Sequence, residues 1–210
     1  MTDVLVLHDL GAPGGGEWAA AFGDWPGRVL APDLPGHNGA PPPVGGQYET
    51  GDAVFVALEV LRAEASDELI VVGVGHNGAA AQILALGGRA AGLVLVDGLG
   101  GPWLGPVEID TRAREMRRQI LTTPAAMPEP ARGASDPRAT MVAGAADRAF
   151  AVRQAEAMPV PTLLIETSAS PTPDARDLAG HFARATLKHL DERDPGRTAH
   201  IVRSWWATNR

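Results

Sequence analysis

The most constraining feature of the chain is the stretch from Leu69 to Gly78, which reads L-I-V-V-G-V-G-H-N-G. An apolar, β-branched run is followed by a glycine-rich turn, and the next residues, Ala79–Leu86, are typical of a helix. A buried strand that turns sharply into a helix favours a layered α/β fold with the turn at the carboxyl edge of a sheet. In the pattern G-x-S-x-G such a turn carries a nucleophilic serine, but here the central position is Gly75.

Short apolar runs separated by helical stretches predict a mostly parallel, doubly wound α/β sheet of about six strands flanked by helices. The predicted strands are Val4–Leu7, Arg28–Ala31, Leu69–Val72, Gly92–Val96, Thr162–Ile165 and Ala185–Leu190. The predicted helices are Glu17–Phe22, Thr50–Ala65, Ala79–Leu86, Asp147–Ala157 and Arg197–Trp206. We expect one domain over residues 1–210, with residues 98–146 inserted as a short lid after a strand.

Composition narrows the range of partners. The net charge of -7 argues against a nucleic-acid partner, which would need a basic surface. The chain has no run of ~20 apolar residues, so no membrane association is expected. Its start, Met1–Asp3, leads directly into a strand without a signal-like segment, and a cytoplasmic location is the expectation. The absence of cysteine excludes disulfides, a thiolate nucleophile and a cysteine-ligated metal.

Several segments, in chain order, resemble the α/β-hydrolase superfamily. They are V-L-V-L-H-D-L-G at Val4–Gly11, A-P-D-L-P-G-H-N-G at Ala31–Gly39, the turn at Gly73–Gly78, G-L-V-L-V-D at Gly92–Asp97, and P-V-P-T-L-L-I-E at Pro159–Glu166. The resemblance implies a minimal α/β-hydrolase fold, in which Gly73–Gly78 is the nucleophile elbow. It also implies that a backbone N–H after the first strand completes an oxyanion hole.

The catalytic residues that this resemblance would supply are unmatched. Gly75 replaces the nucleophile, and the loop Glu166–Pro173 has no aspartate at the usual offset for the acid, with Asp174 lying further on. Where the family has its histidine, this chain has Arg193 or Asp194, depending on the gap. Without a nucleophile and its base, acyl-enzyme chemistry loses its central steps, so conventional serine-hydrolase activity is not expected.

Polar residues that follow the predicted strands form the candidate site. The catalytic candidates are His76, Asp97 and His8. The predicted ligand-binding residues are Asp9, Leu10, Gly11, His37, Gly75, His76, Asn77 and Trp103. The missing side chain at Gly75 predicts open space at the elbow, with backbone N–H groups aimed at a ligand carbonyl or carboxylate.

Structural alternatives accompany these candidates. His8 and His37 could brace their loops, and His76 could pack against the lid. Ser168 and Ser170 could line the mouth of the site, with no adjacent base evident in the sequence. No cofactor and no metal are expected, since the histidines lack a spacing such as H-E-x-x-H.

Three functional hypotheses follow. The first is a pseudo-hydrolase that binds a small carbonyl- or carboxylate-bearing ligand. The second is an active, unconventional hydrolase, lyase, cyclase or isomerase that uses His76, His8 or Asp97. The third is dinucleotide binding, because Gly73, Gly75 and Gly78 also match G-x-G-x-x-G, with Asp97 near the ~20-residue offset of a ribose-binding acid.

Overall fold

The computed structural model describes residues 1–9, 12–41, 50–64, 67–97, 153–168 and 175–210. Its strands are β1 (Asp3–Leu7), β2 (Val29–Leu30), β3 (Leu69–Val74), β4 (Gly92–Val96), β5 (Thr162–Thr167) and β6 (Ala185–Leu190). Its helices are α1 (Gly16–Ala21), α2 (Thr50–Glu64), α3 (Gly78–Leu86), α4 (Ala175–Ala179) and α5 (Pro195–Asn209). A 3₁₀ turn at Gly75–Asn77 joins β3 to α3.

The strands of the described residues form one six-stranded sheet in the order β2-β1-β3-β4-β5-β6. Every neighbouring pair is parallel, so all strands end at the same edge, which we call the carboxyl edge. The chain moves outward from β1 to β2 and then returns to the other side of β1 for β3. The loops after β1 and β3 therefore flank the switch point of the sheet, where ligands bind in open α/β folds.

Successive side chains of each strand point to opposite faces of the sheet, so the core has two layers. On one face of the sheet, side chains such as Leu5, Val71 and Leu95 pack with residues of α2, α3 and α4. On the other face, side chains such as Val6 and Val72 pack with the tryptophans of α1 and α5. The three central strands β1, β3 and β4 are buried along their whole length. This burial explains why they are continuous apolar runs in the sequence.

The fold class predicted from the sequence is confirmed, and the strand positions differ only at their ends. β2 is confined to Val29–Leu30, whereas β5 continues to Thr167, where it pairs with the end of β6. The predicted lid over residues 98–146 lies outside the described residues, as does most of the helix predicted over Asp147–Ala157. Within the described ranges, no helix is both long and apolar enough to cross a membrane.

Candidate functional site

The carboxyl edge brings together residues that are far apart in the sequence. His8 and Asp9 follow β1, the elbow at Gly73–Gly78 joins β3 to α3, and Asp97 follows β4. Arg193 lies between β6 and α5. Its position is fixed by the start of α5, where the Asp194 carboxylate accepts a hydrogen bond from the Arg197 N–H at 3.0 Å and Pro195 occupies the first turn.

The elbow has the sharp backbone that its sequence predicts. Gly75 has φ +54°, a left-handed conformation that most side chains disfavour. A Cβ atom on Gly73 would lie only 2.6–2.8 Å from Asn77, Gly78 and Ala81. Glycine at that position therefore lets α3 pack directly against the end of β3.

The carboxylate of Asp9 fills the space above Gly75. A Cβ atom on Gly75 would lie 2.1 Å from Oδ1 of Asp9 and 2.2 Å from its Cγ and Oδ2. Oδ1 also accepts a hydrogen bond from the backbone N–H of His76 at 3.0 Å. The prediction of open space at the elbow is therefore wrong. The Asp9 carboxylate occupies that space and accepts a hydrogen bond from the His76 N–H, which was predicted to bind a ligand.

Arg193 bridges two carboxylates across the carboxyl edge. Its Nη1 lies 2.6 Å from Oδ2 of Asp9, and its Nε lies 2.7 Å from Oδ2 of Asp97. Asp97 is held in turn by Thr167, whose backbone N–H and hydroxyl donate to it at 2.7 and 2.9 Å. We call Asp9, Arg193 and Asp97 the Asp9–Arg193–Asp97 bridge.

The contacts of this bridge can be compared with those of a catalytic triad. In a Ser-His-Asp triad, the histidine hydrogen-bonds the acid through one nitrogen and the nucleophile through the other. Arg193 makes the corresponding pair of contacts, to Asp97 and to the Asp9 carboxylate over Gly75. Of the two alternatives left by the sequence, Arg193 rather than Asp194 reaches the site. Thr167 was not among the sequence candidates; the only signal for it was its place at the end of a strand.

Electrostatics favour the charged forms of Asp9 and Arg193. Burial raises the pKa of Asp9, but the hydrogen bond and charge of His76, together with the charge of Arg193, outweigh it and hold the pKa at about 2, below the ordinary 3.8. Burial also disfavours the charge on Arg193, yet Asp9 and Asp97 raise its pKa above the ordinary value. A guanidinium held in this way cannot accept a proton from a nucleophile, so Arg193 cannot replace a catalytic histidine as base.

His76 is a partly exposed histidine at the carboxyl edge. Its Nδ1 lies 3.1 Å from Oδ1 of Asp9, and about a third of its side chain is exposed. Because a carboxylate accepts hydrogen bonds, the Nδ1 proton points at Asp9 and leaves Nε2 for another partner. The adjacent Asn77 is buried, and its Nδ2 donates to the carbonyl oxygen of His8 at 2.5 Å.

His8 and His37 brace the loops, as their structural alternative predicted. His8 is buried; its Nδ1 lies 2.9 Å from the carbonyl oxygen of Asp9, and its Nε2 accepts the N–H of Leu34 at 3.1 Å. His37 packs edge-on against His8 and contacts the carbonyl oxygen of Pro35. Burial lowers the pKa of His8 from 6.5 to about 4 despite the hydrogen bond to Asp9. The Nε2 contact of His8 thus joins the end of β1 to the loop after β2, whereas the Nδ1 contact stays within the loop after β1.

Some of the remaining site candidates lie among the described residues, and others do not. Leu10, Gly11, Trp103 and Ser170 lie outside the described residues. Ser168 does have a neighbouring base, contrary to the sequence prediction: its Oγ lies 3.1 Å from Nε2 of His189, and the pair is exposed at the surface. Among the residues that the structure describes, no group of three histidine or acidic side chains is placed to hold a metal ion.

Comparison with known proteins agrees with this architecture. Residues 4–209 match the sequence model of the alpha/beta hydrolase family. Among solved structures, a thermophilic esterase from Thermogutta terrifontis superimposes with a TM-score of 0.73 at 18% identity, covering 99% of this chain and 90% of that chain. NosK from Streptomyces actuosus gives 0.70 at 18% identity, covering 99% and 98%. The enol-lactonase from Burkholderia xenovorans LB400 gives 0.72 at 20% identity, covering 98% and 91%.

These structural similarities concern the fold, since their sequence identities are low. A comparison with curated proteins finds no significant match. The chemistry possible at the carboxyl edge therefore depends on the residues of this chain.

Proposed function

Since the chain belongs to the α/β hydrolase family, we propose that it is a non-hydrolytic member that binds a small carbonyl-bearing ligand at the former catalytic site. The observation that carries this proposal is the Asp9 carboxylate, which lies where the side chain of a nucleophile on Gly75 would begin. The same carboxylate takes the His76 N–H that would stabilise an oxyanion. Among the described residues, this arrangement leaves no attacking side chain at position 75 and engages the His76 N–H that acyl transfer would use.

The remaining donors and acceptors suggest the chemistry of the ligand. Arg193 uses Nε and Nη1 in the bridge, and its Nη2 has no hydrogen-bond partner among the described residues. This nitrogen can donate to a ligand carbonyl, while Nε2 of His76 can accept from a ligand hydroxyl or amide. A ligand carboxylate would have to displace Asp9 from both His76 and Arg193. We therefore favour the carbonyl among the two ligand classes predicted from the sequence.

Dinucleotide binding receives less support. The helix start at Gly78 would have to receive a pyrophosphate, but the anionic Asp9 already lies there against the His76 N–H. Asp97, the predicted ribose-binding acid, is occupied by Thr167 and Arg193. We expect calorimetry to show no specific binding of NAD(H) or NADP(H). A micromolar dissociation constant that is lost in Asp97→Ala would contradict this expectation.

Hydrolysis and binding can be tested on the same preparation. We expect no turnover of p-nitrophenyl acetate or butyrate above buffer. Native mass spectrometry and thermal shift with a panel of small carbonyl compounds should find a ligand whose binding is lost in His76→Ala. The matched control is His181→Ala, because His181 also pairs with a carboxylate, Glu156, and has the same 35% side-chain exposure. Ester turnover, or equal loss of binding in both variants, would overturn the proposal.

The contact between Asp9 and His76 favours a second candidate function. A carboxylate that orients Nδ1 of a histidine leaves Nε2 as a general base, which is the arrangement of the base and acid in a triad. Arg193 flanks the same carboxylate and could stabilise an enolate formed when His76 removes a proton next to a carbonyl. The second candidate is therefore a cofactor-free lyase or isomerase acting by proton abstraction.

Deuterium exchange distinguishes the second candidate from simple binding. If His76 is a base, the protein in D₂O should accelerate exchange of the α-hydrogens of a simple ketone such as cyclohexanone, as measured by NMR. His76→Gln should return the exchange to the buffer rate, whereas His181→Gln should leave it unchanged. Exchange at the buffer rate with the wild-type protein would count against the second candidate and would leave the binding function in place.

A further inference from the structure

A groove elsewhere in the molecule contains no residue of the elbow. It lies between the edge strand β6 and helix α5 and has a volume of about 440 Å³. Two of its residues come from β6 and the others from α5; the lining is Thr186, Lys188, His200, Ile201, Ser204, Trp205, Thr208 and Asn209. This volume falls within the range of sites that hold small organic molecules.

The groove exists because α5 does not cover the sheet evenly. α5 packs against α1 and β5, and its buried tryptophans contribute to the core on that face. β6 is the edge strand, and its side chains are exposed or half-buried. A channel therefore remains beside β6, with the largely buried Trp205 and the half-buried Ile201 as its apolar part.

The polar part of the groove is cationic and rich in hydrogen-bond donors. Lys188 is the only lysine of the chain, in a protein whose net charge is -7. Within the described residues neither Lys188 nor His200 makes an ion pair, whereas Arg28 and Arg193 both do. The hydroxyls of Thr186 and Ser204 line the same groove. An ammonium group beside hydroxyls is suited to a carboxylate, and the apolar part is suited to a planar ring.

We propose that the groove between β6 and α5 is a binding site for a small aromatic carboxylate. Lys188 pairs with the carboxylate, the hydroxyls of Thr186 and Ser204 donate to it, and the ring of the ligand lies against Trp205 and Ile201. This site is independent of the function proposed for the elbow, because none of its residues belongs to the Asp9–Arg193–Asp97 bridge.

The single lysine permits a direct test with benzoate. Reductive methylation with ¹³C-formaldehyde labels only Lys188 and the amino terminus and keeps their charge. Benzoate should shift the Lys188 resonance saturably and leave the amino-terminal resonance unchanged, while the neutral isostere benzamide should produce no comparable shift. Inorganic phosphate should bind more weakly than benzoate, because it has no ring to place against Trp205.

Substitutions test whether benzoate binds in the groove between β6 and α5. By calorimetry, Lys188→Gln should weaken benzoate binding at least ~10-fold, through loss of a charge-assisted hydrogen bond. Ser204→Trp should abolish binding by filling the groove, and Arg197→Gln should leave it unchanged, since Arg197 is an exposed cation of α5 outside the lining. Absence of a saturable shift would overturn the proposal, as would equal affinity for benzamide or unchanged binding in Ser204→Trp. The proposal would also be overturned if the wild type did not bind benzoate and Lys188→Gln self-associated. Lys188 would then serve only to prevent the edge strand β6 from pairing with another chain.

Discussion

At the scale of single residues, the carboxylate of Asp9 is shared between two kinds of partner. Its Oδ1 accepts from the backbone and ring of His76, and its Oδ2 pairs with Arg193. These partners explain why the carboxyl group stays ionised although it is half-buried, since burial alone would raise its pKa. Asp9 is thus held over Gly75 by interactions that a replacement side chain at Gly75 would have to break.

We predict that Gly75→Ser alone creates no hydrolase. The new Cβ atom would meet the Asp9 carboxylate, and the left-handed backbone at Gly75 adds strain. We expect a loss of about 1–3 kcal/mol in the free energy of unfolding, measured with urea, because the site is overpacked. The rate with p-nitrophenyl acetate should stay at the buffer level, since Arg193 cannot act as base. A large gain of esterase activity would show that His76 already serves as one.

We predict that buried His8 makes the protein less stable as the pH falls from about 6.5 to about 4. Its pKa is lowered from 6.5 to about 4 in the folded protein. Between pH 6.5 and pH 4 the unfolded chain therefore binds a proton at His8 that the folded chain does not bind. The stability present above pH 6.5 therefore declines through this window, by up to ~3 kcal/mol. Urea unfolding at several pH values should show a shallower decline in His8→Gln. Equal slopes in both proteins would contradict this assignment.

At the scale of secondary-structure elements, the ends of neighbouring strands hold the site together. Thr167, the last residue of β5, donates two hydrogen bonds to Asp97, which follows β4 in a left-handed backbone conformation with φ +55°. Asp97 then fixes Arg193 beyond β6. The site therefore depends on the extension of β5 by two residues beyond the apolar run that predicts it.

We predict that Thr167→Val destabilises the protein by about 1.5–3 kcal/mol, because the buried Asp97 carboxylate loses a hydroxyl donor without a change of shape at position 167. Thr167→Ser is the matched control; it keeps the hydroxyl and should remain closer to the wild type. Urea denaturation measures both free energies of unfolding. A valine variant as stable as the serine variant would mean that the hydroxyl does not support Asp97.

The sequence predicts the elements better than it predicts their contacts. Apolar β-branched runs such as Leu69–Val72 and Gly92–Val96 have the pattern of buried parallel strands, and both are strands in the structure. The elbow and the absence of its serine are equally visible in the local sequence. The contact of Asp9 with Arg193 is not, because it joins residues 184 positions apart. The sequence therefore predicts a vacant elbow, whereas tertiary packing supplies the carboxylate that fills it.

At the scale of the whole molecule, the parallel sheet gathers the candidate site residues at one edge. The loops after β1 and β3 flank the switch point of the sheet, and Asp97 after β4 pairs there with Arg193 after β6. Under the proposed function, Gly75 and Arg193 stand at the positions of the nucleophile and the base, and the Asp9 carboxylate lies between them. Substitutions at these three positions should therefore restore the triad within the same fold.

The most direct test is covalent labelling by a fluorophosphonate, followed by intact and peptide mass spectrometry. The triple variant Asp9→Gly, Gly75→Ser, Arg193→His would place a serine, a histidine and Asp97 in triad order, and the same background with Gly75→Ala is its control. We predict that the wild type and the alanine control remain unlabelled, whereas the folded triple variant is labelled at position 75. Labelling of any serine in the wild type, or a folded triple variant that stays unlabelled, would contradict the account.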